Sequence, residues 1–321
     1  MATTDLPATA VTRAGTEKDE RTAAIPAFVN PNAKNAEEAC AVLARAGGFA
    51  VERVEPRELT ARVRAAVERG VRRVLIAGGD GSIGSAANVL CGGECELAIL
   101  PAGTLNHLSK DLGLPDDLVE AAKVAAGTHT RMIDIGDVNG RVFLNTSSVG
   151  AYVTFVRTRE RLESRLGYWL ASTVAGLRIL TRLRAFRVTL EVDGAAREYD
   201  TPLVFIGVGE RELRMPKLGA RVPGGKTGLH VIVVRSSSGA RMLALGLAAV
   251  ARGLQAVART PAMDSFIVDQ LRIEPPRRPP RAASIAVDGE IVSVEPPLRY
   301  RLLRGALRVV VPELLPEQRE G

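Results

Sequence analysis

The sequence predicts an α/β domain built on a parallel sheet, followed by a mainly antiparallel β-sandwich domain. Three observations carry that expectation. Between residues 25 and 138, short β-branched runs alternate with Ala-, Arg- and Glu-rich stretches of helical period, the pattern of βαβ units. Glycines close several of these runs, at helix ends and where a strand hands over to a helix. Beyond Asn139-Gly140 the helical stretches give way to strands separated by turns, and 321 residues suit two domains with a core each.

Taken in order, residues 25–30 read as a strand, 33–46 as a helix closed by Gly47-Gly48, and 49–54 as a strand. Residues 58–69 read as a helix ended by Gly70, and 71–77 as a buried strand running into glycines. A helix at 82–90, a strand at 97–100, a helix at 116–126 and a strand at 131–138 complete a doubly wound plan. In the second half, Phe186–Val192 and 198–207 flank Asp193-Gly194 as a hairpin. Strands at 267–273, 284–287, 291–294, 299–303 and 306–311 follow, and Pro275-Pro276 and Pro279-Pro280 make the stretch between them an exposed loop. The boundaries are therefore a mobile leader at 1–24, an α/β domain at 25–138, a sandwich at 139–312 and a tail at 313–321.

Composition narrows the functional classes. With 46% hydrophobic, 25% charged and 4% aromatic residues, the chain is neither collagen-like, disulfide-stapled nor wholly disordered. Cys40, Cys91 and Cys95 form no disulfide framework, and no second Cys or His pair completes a zinc site, so the chain reads as cytoplasmic and reduced. No uninterrupted apolar run is long enough to span a bilayer, and the N-terminus lacks a secretory pattern. A net charge of +7 and a pI near 9.7 favour acidic partners. Nucleic acid is excluded by the lack of a helix-turn-helix, zinc or RNP-type aromatic pattern.

Four segments carry chemistry. Val74 to Ser82 ends a strand in Gly78-Gly79-Asp80-Gly81-Ser82, where glycines admit a phosphate to the backbone and the helix start supplies partial positive charge. Such a turn also serves architecture, but a carboxylate between two glycines suits a metal-bound nucleotide or a proton better than it suits packing. Pro101-Ala102-Gly103-Thr104-Leu105-Asn106 repeats the arrangement after the next strand, and two such turns converge on one sheet edge, the ligand edge of open α/β sheets. Asn30-Pro31 follows the first strand, with Lys34 in reach of a phosphate. Finally, Asp288-Gly289-Glu290 joins two strands as a type I′ hairpin, whose carboxylates could accept a hydroxyl proton if the tip faces the cleft.

In this order the motifs resemble the diacylglycerol kinase catalytic-domain family of lipid kinases, which includes bacterial diacylglycerol kinases and the sphingosine and ceramide kinases. The resemblance runs from about residue 25 to 312, through Asn30-Pro31, Gly78 to Ser82, Gly103 to Asn106, Asn145 to Gly150 and Asp288 to Glu290. It implies a nucleotide-binding α/β domain, a β-sandwich carrying the acceptor site, ATP with Mg²⁺ in the cleft and a membrane-lipid hydroxyl as acceptor. It implies that Gly78, Gly79, Asp80, Gly81 and Ser82 hold the nucleotide phosphates, with Asn30, Pro31, Lys34, Gly103, Thr104 and Asn106 also at the nucleotide. Glu290 or Asp80 would be the base, with Asp288 beside them.

The sequence departs from the family at His107, where many members have Asp, and at Thr227, where the family's accessory magnesium site has Asp. A hard cation lacks its anionic ligand at Thr227, so that accessory metal is expected to be absent. Two rival readings follow: a catalytically weak nucleotide- or lipid-binding regulator, and a soluble-substrate kinase of the NAD kinase type. Between residues 157 and 187, eight arginines face two acids, which suits a helix lying on an anionic membrane surface or a solvated face packed on the sandwich. The expected setting is cytoplasmic, peripheral to the membrane, with a homodimer left open.

Overall fold

The computed structural model describes residues 24–150, 185–192, 194–212, 220–235, 263–274 and 282–313, with positions 153, 157, 158, 161 and 167. The leader to residue 23, the tail from 314, Arg277-Arg278 and most of the arginine-rich segment lie outside the described residues. Strands β1 (Ile25–Val29), β2 (Phe49–Arg53), β3 (Arg73–Gly78) and β4 (Glu96–Pro101) run parallel in the order β2-β1-β3-β4. Helices α1 (Ala36–Ala46), α2 (Pro56–Glu68) and α3 (Asp80–Leu90) connect them; α4 (His107–Asp111) and α5 (Leu118–Ala126) follow β4.

β3 shows why a continuous apolar run was needed here. Its side chains alternate between two cores, Val74 and Ile76 packing with α2 and α3, Leu75 and Ala77 with α1 and α5. Each fully buried Leu or Ile contributes about 1.5–3 kcal/mol by leaving water. α5 starts two residues later than expected, at Leu118, because Asp117 is its cap and accepts the Val119 and Glu120 amides at 3.0 Å.

β5 (Thr130–Val138) departs from the doubly wound plan. It pairs antiparallel with β16 (Leu298–Val310), and β16 in turn meets β4 in parallel at Val309 and Leu97. β16, the last strand among the described residues, thus lies between β4 and β5, with Leu307 and Val309 in the same core as Ile133 and Ile135. β6 (Arg141–Phe143) returns along β5 through Asn139-Gly140, both at positive φ, as a type I′ turn requires.

In the second half, β7 (Thr146–Gly150), β10 (Leu203–Val208), β11 (Leu229–Val234), β12 (Met263–Val268), β14 (Ala283–Val287) and β15 (Glu290–Val294) form an antiparallel sheet ordered β12-β11-β10-β7-β14-β15. β8 (Phe186–Val192), β9 (Ala195–Thr201) and β13 (Gln270–Glu274) extend the first sheet beyond β16, making it ten-stranded. The sandwich core lies between the sheets, with Val138, Phe143, Val188, Leu190, Ile206 and Val231 among its buried residues.

Four expected strands are corrected. The run 198–207 is two strands in different sheets, divided at Pro202, where Thr201 Oγ1 bonds both the amide and the carbonyl of Leu203. The run 267–273 divides at Asp269 in the same way, β12 joining one sheet and β13 the other. Conversely, 299–303 and 306–311 are one strand, β16, irregular between Leu303 and Leu307, where Gly305 turns at positive φ and donates to Asp134 Oδ1.

Candidate functional site

The two glycine turns meet at the edge of the parallel strands. A Cβ placed on Gly103 would lie 2.4 Å from Gly79 Cα and 2.7 Å from Asn106 Oδ1, so the loops approach as closely as they do only because residue 103 is glycine. A Cβ on Gly78 would lie 2.8 Å from the Ser82 side chain. α3 begins at Asp80 with no side-chain cap, so its first amides point into this corner without helical partners.

The polar residues of the turns divide into those that build and those that face outward. Asn106, buried and in the left-handed region, accepts from the Gly103 amide and donates to the Pro101 and Gly103 carbonyls, each at 3.1 Å. Its amide is therefore spent on shaping the loop. Asn30 donates to Ser82 Oγ at 2.9 Å and accepts from the Asn32 amide, which ties the first turn, with Pro31, to the start of α3. Asp80 accepts the His107 and Leu108 amides at 3.1 and 3.2 Å, so its carboxylate holds the N-terminus of α4. Thr104, His107 and Lys34 are exposed beside these groups.

The Asp288-Gly289-Glu290 turn has the I′ geometry read from its sequence, with positive φ at Asp288 and Gly289. Its two carboxylates do different things. Asp288 accepts three backbone amides, from Leu144 at 2.7 Å, Asn145 at 2.8 Å and Thr146 at 2.9 Å. Burial pushes its carboxyl above the usual carboxylate range, the three amides pull against that, and neighbouring Asp80 adds to the rise. Glu290 instead reaches across the cleft: a Cβ on Gly81 would lie 2.5 Å from Glu290 Oε1. Its side chain is 54% exposed, and Arg141 Nη2 lies 3.4 Å from its other oxygen. The tip of the late hairpin thus sits over the first glycine turn, 209 positions away in the chain.

Sequence reasoning singled out neither Arg141 nor Arg211. Arg211 is 4% exposed; its Nη2 donates to Asn145 O at 2.8 Å and Val208 O at 2.7 Å, and its Nη1 lies 3.6 Å from Asp111 Oδ2. Burial lowers the Arg211 guanidinium to about 10, with Asp111 opposing the fall, and burial raises Asp111 with Arg211 opposing. Behind Arg211, its amide donates to His230 Nδ1 at 2.9 Å, so His230 carries its proton on Nε2, towards Ser265 Oγ at 2.8 Å. No short-range signal marks Arg211, because Asp111 lies 100 positions earlier.

For a cation, Asp80 and Glu290 are the carboxylates nearest the glycine turn. Among the described residues no three metal-ligating side chains gather around them. Thr227 Oγ1 accepts a hydrogen bond from Arg304 at 3.2 Å, which sets a guanidinium beside the position where the resemblance implies a cation ligand.

Comparison with known proteins adds the following. The family model for the diacylglycerol kinase catalytic domain matches residues 26–138. Over 155 residues the chain is 30% identical to a diacylglycerol kinase of Staphylococcus haemolyticus (strain JCSC1435), covering 47% of this chain and 46% of that protein. Over 164 residues it is 27% identical to a diacylglycerol kinase of Staphylococcus aureus (strain JH9), covering 50% and 51%. The alignment spans about half the length of these curated relatives. Among solved structures, a chain from Bacillus anthracis str. Sterne superposes with a TM-score of 0.70 at 23% identity, over 92% of this chain and 99% of that one. A diacylglycerol kinase structure from the same strain gives 0.62 at 20% identity, over 92% and 98%. At these identities the likeness is one of fold, and it extends over both sheets.

Proposed function

We propose, from the premise that residues 26–138 belong to the diacylglycerol kinase catalytic-domain family, that the chain is an ATP-dependent kinase whose acceptor is a hydroxyl of a membrane lipid, diacylglycerol or a sphingoid base. The observation that carries this reading is the position of Glu290 over Gly81. A solvent-accessible carboxylate beside a glycine turn and a helix N-terminus puts a proton acceptor next to the place suited to a transferring phosphate.

The nucleotide phosphates lie against Gly78 to Ser82 and the first amides of α3, with Thr104 and Lys34 at the rim. The acceptor hydroxyl enters from the second domain, and Glu290 takes its proton as the oxygen bonds to the γ-phosphorus and the bond from that phosphorus to the ADP oxygen breaks. Arg141, next to Glu290, adds positive charge where the phosphoryl oxygens gather theirs. Mg²⁺ bound with the nucleotide would supply charge neutralisation, with Asp80 as the carboxylate that would hold it. The net charge of +7 supports peripheral attachment to an anionic lipid surface, where the acceptor resides.

The test is transfer of radioactive γ-phosphate from ATP, with Mg²⁺, to a mixed lipid extract by wild type, Asp80→Asn and Glu290→Gln. Wild type is expected to label a chloroform-soluble product, with the rate falling about 10²–10⁴-fold in Glu290→Gln. ATP binding without any labelled lipid would overturn the reading and favour a regulator or a soluble acceptor.

A further inference from the structure

We infer that Arg211 is a positioning residue for the hairpin that carries Glu290, and that α4 couples it to the first glycine turn. The inference rests on the kinase reading for its catalytic consequence, but its structural part stands on geometry alone.

The coupling is a chain of contacts with α4 at its centre. α4 is one turn long, and both of its ends are held by charged groups from elsewhere. At its start, the His107 and Leu108 amides bind Asp80 in the glycine turn. At its end, Asp111 lies against the buried guanidinium of Arg211 at 3.6 Å, with Arg221 a second cation near the same carboxylate. Arg211 then holds the Asn145 carbonyl, while the Asn145 amide donates to Asp288. The peptide unit 145 is thus gripped at its oxygen by Arg211, and the amides of 144–146 grip Asp288, two residues before Glu290. Glu290 closes the circuit by lying over Gly81, next to Asp80.

The choice of arginine follows from this arrangement. One planar guanidinium spans the Asn145 and Val208 carbonyls while facing Asp111, which a single ammonium on a flexible stem does not reproduce. Its place is tightly set, since a Cβ on Gly207 would lie 2.5 Å from Arg211 Cγ and the Arg211 amide is fixed on His230. A buried ion pair is a weak source of stability compared with apolar packing. What this one contributes is the orientation of the 144–146 turn, and through it the height of Glu290 above the phosphate corner.

The experiment compares the full chain with Arg211→Met, Arg211→Lys and Asp111→Asn by amide hydrogen exchange and by lipid-kinase kinetics. In Arg211→Met, exchange at Leu144, Asn145 and Thr146 is expected to quicken at least about tenfold while Leu75 and Ile76 in β3 stay protected. The kcat is expected to fall about 10–100-fold with KM for ATP little changed, because the displaced group is the base and not the nucleotide cradle. Arg211→Lys should recover part of the loss, and Asp111→Asn should show a smaller loss of the same pattern. If Arg211→Met does not fold, the Lys and Asn variants carry the same comparison. Unmoved exchange at 144–146, or a folded variant with wild-type kcat, overturns the positioning role. A wild type that labels no lipid, alongside lost protection in the variants, instead sinks the kinase reading and leaves the positioning intact.

Discussion

Gly81 and Gly103 both have a neighbour where a side chain would go, but the two neighbours differ in what they can yield. At Gly81 the neighbour is the far end of Glu290, which is free to swing; at Gly103 it is the backbone of Gly79, which is not. Gly81→Ala is therefore expected to fold with unchanged stability, or to gain up to about 1 kcal/mol from helix propensity, while losing kinase activity as Glu290 is pushed aside. Gly103→Ala must part the two turns and is expected to cost about 1–3 kcal/mol as well as activity. Urea unfolding and the lipid-labelling assay on both variants check this; a Gly81→Ala protein of full activity would remove Glu290 from the catalytic role. The same contrast shows what the sequence makes legible at a site. Gly78, Gly79, Asp80, Gly103 and Glu290 are readable because glycine and carboxylate at a strand end have few structural uses. The division of labour between Asp288 and Glu290 is not, since it depends on which oxygen meets the 144–146 amides.

At the scale of elements, β11 shows how a buried titratable side chain conditions the sheet around it. His230 is buried on β11, accepts the Arg211 amide and donates towards Ser265 on β12. Burial holds its imidazole below the ordinary value of 6.5, with Arg211 adding to the fall and Glu210 opposing it. The folded state thus binds this proton less readily than the unfolded chain, so its contribution to stability is present above about pH 6.5 and is lost as pH falls towards the folded value. Urea midpoints are expected to drop between pH 7.5 and pH 5.5, and His230→Asn is expected to flatten that slope; an equal slope in the variant would refute the assignment. The elements themselves were legible in unequal measure. β1, β3 and β4 and their helices stand out because strands covered on both faces need continuous apolar runs. The divisions at Pro202 and Asp269, and the union across Gly305, were not legible, because a strand that changes sheets keeps the same local alternation on either side of the corner.

At the scale of the whole molecule, the final strand binds both halves into one structure. β16 pairs with β13 through residues 298–301, with β5 along both of its segments, and with β4 at Val309. The stretch 26–138 matched by the family model therefore contains β5 without its β16 partner, and lacks Leu307 and Val309 from the core that holds Ile133, Ile135 and Leu97. Removing these two buried aliphatic side chains alone withdraws about 3–6 kcal/mol of burial, and the β5 ladder loses its hydrogen-bond partner in the same cut. Since single domains hold only about 5–15 kcal/mol of net stability, a fragment of residues 24–138 is expected to lack a cooperative urea transition, whereas the full chain unfolds both halves together. Circular dichroism and tryptophan-independent probes such as backbone amide dispersion would read this directly, because Trp169 lies outside the fragment. A fragment with full amide dispersion and a steep transition would mean that β16 only docks on a completed α/β unit. Absence of that transition would mean that the half carrying the glycine turns completes its core only when β16 has joined β4 and β5.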